Sequence, residues 1–344
     1  MRDPDKTIHL IDDRRMGGVT RFLDRITEMR PQDEIRYVKR GSMRGHAYGA
    51  GTIVSHLAVS WRSLPMMITL RACNPHARIV HVEHSYCAGF EVHRVQPRRY
   101  GRFHALLRTV YALFDEVITV SENQAEWMRR IGVIPAGKVH VAPPLVDLTP
   151  FLSLPDSVPG EALRYGFVGR LDEQKGLDRI INAWRDVAPD EARLEIVGNG
   201  PMREALEAMA EGDARITFHG ATSSPADAYR LFDIAVMPSR WEPFGLSCLE
   251  ARAAGRPVLV APVDGLPEQL SEGGGWVLED DAEAWVRTFA IGMDSADIDN
   301  HVRLGRNAAA RQARNARMQW SWLLDTPRMA KGALPHGQKP QTED

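Results

Sequence analysis

Three cysteines in 344 residues, Cys73, Cys87 and Cys248, are odd in number, scattered and without a CxxC spacing. That excludes a disulfide framework and a zinc site built on paired cysteines, and leaves buried thiols as the default. No apolar run approaches the roughly 20 residues that cross a bilayer. The opening residues, MRDPDKTIHLIDD, carry charge instead of an apolar signal core, so a cytoplasmic protein is expected. A strong overall charge is also lacking, with 43 Lys and Arg against 45 Asp and Glu. Together with the absence of any matching module, this disfavours nucleic-acid binding.

What is present is enough for two cores of roughly 150 residues each. The near-neutral total hides an asymmetry: residues 1–150 carry 22 Lys and Arg against 15 Asp and Glu, net +7, whereas the remainder is net −9. A basic first half suits an anionic partner such as a phosphate, an acidic glycan or an anionic lipid surface.

Short β-rich runs alternate with helical stretches: TIHLID at 7–12, EIRYVK at 34–39, RIVHVEH at 78–84, EVITV at 116–120 and KVHVA at 138–142. The intervening lengths allow crossover helices, which predicts βαβ units and a parallel sheet. Residues 142–162 then hold five prolines and no period, reading as an interdomain linker. The alternation restarts at 163–169, 193–198, 215–220, 233–238 and 257–261. An α/β chain of two doubly wound, Rossmann-like domains is therefore expected: 1–150, then 151–330, with 331–344 a disordered tail. The carboxyl ends of both sheets would face a central cleft, where open α/β sheets bind ligands.

Several motifs are decoys. GVIPAGKV at 132–139 has the spacing of a phosphate-binding loop, but Val139 stands where Ser or Thr should hold magnesium, and a strand follows. Asp297 and Asp299 spell Asp-x-Asp within a helical stretch, which reads as a solvated face. His81 and His84 have no third ligand at a recognisable spacing, so no metal is expected there.

Three stretches carry more. In GRLDEQKGLDRI, Arg170 and Lys175 follow a strand that ends at Gly169; such cations suit a diphosphate, Arg by bidentate bonds and Lys as a point charge. In RWEPFGLSCLEARAAG, Pro243 biases Glu242 away from helical dihedrals, so the helix starts near Leu246. Glu242 then sits in the loop ahead and Glu250 about one turn inside. A helix start offers unpaired N–H groups to an anion, and Glu250 can accept bonds from a neighbouring diol. Gly17 and Gly18 form a tight turn after the first strand that permits close backbone approach to a ligand. By spacing alone the two glutamates could be an acid/base dyad, a grip on a ligand, or helix charges.

Taken together, GFVGRLDEQKGLDRIINAW, LEIVGNGPMREAL, ITFHGATSSPADAYRLFDIAVMPSRWEPFGLSCLEARAAGRPVLVAPVDGLPEQL, MGGV and VHVEHSY resemble glycosyltransferase family 4, the retaining nucleotide-sugar transferases of GT-B fold. The resemblance is close over 163–278 and looser over 1–142. It implies that Glu242 holds hydroxyls of the donor sugar and Glu250 those of the ribose. Arg170 and Lys175 would bind the diphosphate, and Phe244, Gly245 and Leu246 would offer backbone N–H groups. Gly17 and Gly18 would approach the donor from the first domain, His84 would reach the transferred sugar, and Phe218, His219 and Gly220 would lie at the base.

The resemblance also implies a hexosyltransferase that needs no cofactor and no metal. Its donor would be a UDP or GDP sugar, and its acceptor a glycan or lipid-linked molecule of bacterial surface polysaccharide or glycolipid synthesis. Residues 91–114 interleave arginines with Tyr100, Phe103, Leu106, Leu107 and Val110, which suggests peripheral contact with an anionic membrane on its inner face. The alternatives are a GT-B-like nucleotide-sugar epimerase, a hydrolase using the two glutamates, and a non-catalytic binder of nucleotide sugars. A hydrolase would leave Arg170 and Lys175 unexplained.

Overall fold

The computed structural model describes residues 3–325 apart from 15, 16, 159, 161 and 280; the expected tail at 331–344 lies outside the described residues. Six strands, β1 (Asp3–Ile11), β2 (Glu34–Tyr37), β3 (Ala50–Ser55), β4 (Arg78–Glu83), β5 (Glu116–Thr119) and β6 (Val139–Val141), form a first sheet in the order 2-1-3-4-5-6. Its helices are α1 (Gly18–Met29), α2 (Leu64–Cys73), α3 (Ala88–Arg94), α4 (Tyr100–Ala112) and α5 (Glu122–Arg130). A second sheet, in the order 12-11-10-7-8-9, comprises β7 (Arg164–Val168), β8 (Arg193–Val197), β9 (Ile216–Gly220), β10 (Ile234–Met237), β11 (Val258–Val260) and β12 (Gly275–Val277). Around it lie α6 (Thr149–Leu152), α7 (Leu177–Val187), α8 (Arg203–Ala210), α9 (Pro225–Ala228), α10 (Leu246–Ala253) and α11 (Ala282–Ile291).

Every pairing is parallel. The central strands are therefore buried on both faces, β4 and β10 at every position, whereas the edge strands β2 and β9 are partly exposed. Strand order reverses between β1 and β3 in the first sheet and between β7 and β10 in the second. Those switch points are where loops splay apart and a ligand can enter.

Two differences from the sequence reading bear on the architecture. The proline-rich stretch is not a free tether: it forms α6, and Leu148, Phe151 and Leu154 are buried against Tyr229, Phe232 and Leu249 of the second unit. Residues 91–114 form two helices broken by a 3-10 turn at Pro97–Arg99. Leu106, Leu107 and Val110 pack into the first core, so the apolar side of this segment faces inward.

The last helix, α12 (Ser295–Asp325), runs 31 residues, about 46 Å at 1.5 Å per residue. Ile298 and Val302 belong to the core of the second sheet, Ala309 to the packing around α10, and Trp320, Leu323 and Leu324 to a core on the first sheet with Phe22 and Ile118. One helix therefore spans both units. Its end is fastened by Arg78, which donates to the Leu323 carbonyl at 2.7 Å and forms a buried ion pair with Glu116 at 2.6 Å.

Candidate active site

The helix start in RWEPFGLS is built by backbone geometry. Gly245, the N-cap of α10, has φ +89°, a left-handed conformation that costs an L-residue strain. A Cβ there would lie 2.6 Å from Leu266 Cδ2. In the first turn of α10 Cys248 N donates to the Gly245 carbonyl at 3.0 Å, which leaves the Leu246 and Ser247 N–H groups without an acceptor within the helix; a Cβ on Gly18, from the opposite unit, would come within 3.0 Å of Leu246 Cδ1. The Gly17–Gly18 turn and the α10 start thus close on one another across the cleft.

Both glutamates are buried and both meet cations. Glu242 forms an ion pair with Lys175. Its backbone is clamped by the next loop: its N–H donates to Asp264 Oδ2 at 2.9 Å, and its carbonyl accepts from Gly265 N at 3.0 Å. Glu250 accepts from Arg21 of α1 at 2.5 Å and from the Tyr229 hydroxyl at 3.3 Å. Burial pushes the Glu250 carboxyl above its ordinary range, and the Arg21 guanidinium opposes that shift.

The loop carrying Lys175 is laced to the loop carrying Glu242. Arg240 N donates to the Gln174 carbonyl at 2.8 Å, and the Arg240 guanidinium grips Asp178 with bonds of 2.8 and 2.6 Å. Arg170, in contrast, is 60% exposed and pairs with its neighbour Asp172 at 3.2 Å, so it can turn toward an incoming anion.

A cavity of about 500 Å³ opens between the two units, with Gly17, Gly18, His56, His84 and Arg170 in its wall. His84 follows β4, and burial lowers it to about 4, which keeps it neutral at pH 7. Gly17, Gly18, His84 and Arg170 therefore share one cavity, and Lys175, Glu242, Phe244, Gly245, Leu246 and Glu250 surround the start of α10. Phe218, His219 and Gly220 lie on the edge strand β9, where His219 Nε2 meets Glu195 Oε2 at 2.6 Å; they do not line this cavity. Among the described residues no group of three or more His, Cys, Asp or Glu could hold a metal ion, and no helix is long and apolar enough to cross a membrane.

Comparison with known sequences decides the family. The model of Glycosyltransferase Family 4 matches residues 47–150 and that of Glycosyl transferases group 1 matches 162–291. The chain belongs to glycosyltransferase family 4, with the GT-B fold. It is 31% identical over 236 residues to the D-inositol 3-phosphate glycosyltransferase of Xylanimonas cellulosilytica, covering 61% of this chain and 55% of that protein. The chain thus spans about half the length of such curated relatives. Among solved structures, Anabaena HepE in complex with UDP and glucose superposes with a TM-score of 0.73 at 15% identity, covering 93% of this chain and 99% of that one. Sucrose-phosphate synthase from Thermosynechococcus elongatus gives 0.74 at 22%, covering 92% and 98%. At these identities the structural likeness concerns the fold.

Three groups in this family 4 site escaped the sequence reading. Arg21 and Tyr229 reach Glu250 from 229 and 21 positions away, contacts that no local pattern encodes. Asp264, in VDGLP, has φ +45°. From the second unit it caps the start of α3, accepting from Gly89 N at 2.9 Å and Cys87 Sγ at 3.0 Å. The Asp-Gly pair was a readable signal, because Asp tolerates the left-handed region and Gly follows it in turns.

Proposed function

We propose that the chain is a retaining, metal-independent glycosyltransferase that moves a hexose from a nucleoside-diphosphate sugar to a hydroxyl of a glycan or lipid-linked acceptor. The observation that carries this reading is the pair of buried glutamates flanking the start of α10, each matched to a cation, with the Gly17–Gly18 turn packed against that start. An incoming donor would exchange these internal partners for its own groups. Its ribose diol would meet Glu250 as Arg21 withdraws, its sugar hydroxyls would meet Glu242, and its diphosphate would take Lys175, Arg170 and the first-turn N–H groups.

In the reaction, the acceptor oxygen bonds to the anomeric carbon on the face from which the diphosphate departs. The carbon–oxygen bond to the diphosphate breaks, and the acceptor's proton passes to a leaving phosphate oxygen. Arg170, Lys175 and the helix start stabilise the charge that develops on the leaving group. Donors pre-aimed in a site shielded from water need little reorganisation, so they contribute more than they would in solution.

UDP heads the candidate donors because HepE is described in complex with UDP and glucose. Contact with an anionic membrane through 91–114 would rest on the exposed Arg98, Arg99 and Arg102 and on Val92, since Leu106, Leu107 and Val110 face the core. Failure to float with anionic liposomes would remove that part. A thermal-shift panel of nucleoside diphosphates and their sugars tests the donor assignment. A ligand at about 100 times its Kd should stabilise by roughly 2.7 kcal/mol; if none raises the melting temperature, the nucleotide-sugar reading fails.

A further inference from the structure

Behind the cavity wall, four neighbouring strands of the first sheet each contribute one polar side chain to a continuous line. Asp33 precedes β2, His9 lies in β1, His56 follows β3 and His84 follows β4, matching the strand order 2-1-3-4. Asp33 Oδ2 lies 3.4 Å from His9 Nε2, His9 Nδ1 lies 3.1 Å from His56 Nε2, and His56 Nδ1 lies 2.9 Å from His84 Nε2. Successive ring planes differ by only 18° and 27°, so the rings meet nearly in one plane. His9 is fully buried, while His56 and His84 line the cavity.

A neutral imidazole has one donor and one acceptor, and which nitrogen carries the proton is set by the partner of the other. Asp33 ends the line with an acceptor, and Arg30 holds that carboxylate at 2.9 Å. A neutral His9 therefore carries its proton on Nε2 and accepts on Nδ1. The same constraint passes to His56 and then to His84. Glu83, beside His84 in sequence, does not compete: Ser85 N, Tyr86 N and the Tyr111 hydroxyl occupy its oxygens at 2.8, 3.0 and 2.8 Å. Burial holds His56 well below its ordinary value, as it does His84, so both rings are neutral at pH 7 and their tautomer matters.

We infer that Asp33, acting through His9 and His56, fixes His84 as the Nε2–H tautomer, leaving its Nδ1 as a hydrogen-bond acceptor for a hydroxyl in the cavity. Asp33, His9 and His56 are positioning residues. Arg30 also pairs with Asp325, and Phe22 packs against His56, His84 and Trp320, so the end of α12 buttresses the line. The hydroxyl part rests on the nucleotide-sugar reading; the tautomer does not.

Long-range ¹H–¹⁵N correlation spectra of the full chain labelled with ¹⁵N-histidine, assigned by single histidine replacements, test the inference at pH 7. All three rings should be Nε2–H. A proton on Nδ1 of His84 in the unaltered protein overturns the inference with no variant needed. His9→Phe keeps a flat ring but removes the acceptor for His56, so His84 should shift toward Nδ1–H. His9→Asn places a carboxamide oxygen near the position of Nδ1 and should restore Nε2–H; an unchanged tautomer in folded His9→Phe overturns the relay.

UDP and UDP-glucose affinities then separate the two claims. His9→Phe should weaken UDP-glucose about three- to tenfold, one hydrogen bond's worth, and leave UDP unaffected. Equal behaviour of the two ligands overturns the hydroxyl role. If the unaltered protein binds neither, the nucleotide-sugar reading falls while the spectra still decide the relay.

Discussion

Glu250 is the residue on which the proposed roles of the two buried glutamates divide. It is buried on α10, and Arg21 and Tyr229 satisfy its oxygens. A carboxylate so placed is strongly disfavoured if its partner is removed and nothing replaces it. Glu250→Ala should weaken both UDP and UDP-glucose, by about 10- to 150-fold if one charge-assisted bond of roughly 1.5–3 kcal/mol is lost. Glu242→Ala should chiefly reduce turnover and the affinity for the intact donor, since its contact is with the sugar; calorimetric titration with both ligands checks the split. Equal loss of UDP binding in the two variants would contradict it. The pair itself was legible, because Pro243 and the glycine before the helix fix where each glutamate falls. Their internal partners were not: sequence spacing carries no information about a residue 229 positions away.

At the scale of elements, helix starts and most strands follow from turn chemistry and apolar runs, yet two strands escaped. β3, in GAGTIVS, is opened by glycines and has only Ile53 and Val54 as a large apolar run; β12 is three residues following Gly273 and Gly274. β3 is held by pairing to the longer β1 and β12 by pairing to the equally short β11, a tertiary term that overrides local propensity.

Gly245 shows the opposite case, an element end fully specified by one residue. At φ +89°, with Leu266 2.6 Å and Glu242 Cγ 3.2 Å from where a Cβ would stand, Gly245→Ala adds backbone strain of about 1–2 kcal/mol and pushes on the loop that carries Glu242. Gly212, at φ +83° with open space around it, is the control for strain alone. Gly212→Ala should lower the melting temperature and keep UDP-glucose binding, whereas Gly245→Ala should lower both. Unaltered UDP-glucose affinity in Gly245→Ala would show that the α10 start tolerates displacement.

For the molecule as a whole, the seam between the units decides how the halves of the site meet. Asp264 and Glu268, both from the second unit, cap helices of the first: Glu268 accepts from Glu122 N at 3.2 Å and Asn123 N at 3.1 Å at the start of α5. Burial in this seam pushes Glu268 up to about 7, and the two backbone bonds oppose it. Because the folded value lies above the unfolded one, this group's contribution to stability is present below about pH 4.5 and is lost as pH rises through 7. Buried histidines such as His84 act in the other direction, since their folded values are depressed and stability falls as the solution becomes acidic. A bare pH profile would mix the two, so the comparison must be between proteins. Glu268→Gln retains an acceptor for α5 and cannot ionise. The melting temperature of the unaltered protein, measured from pH 5 to 8, should therefore fall relative to that of Glu268→Gln. Parallel curves would mean that Glu268 ionises in the seam without penalty, and that the contact with α5 is solvated instead of closed.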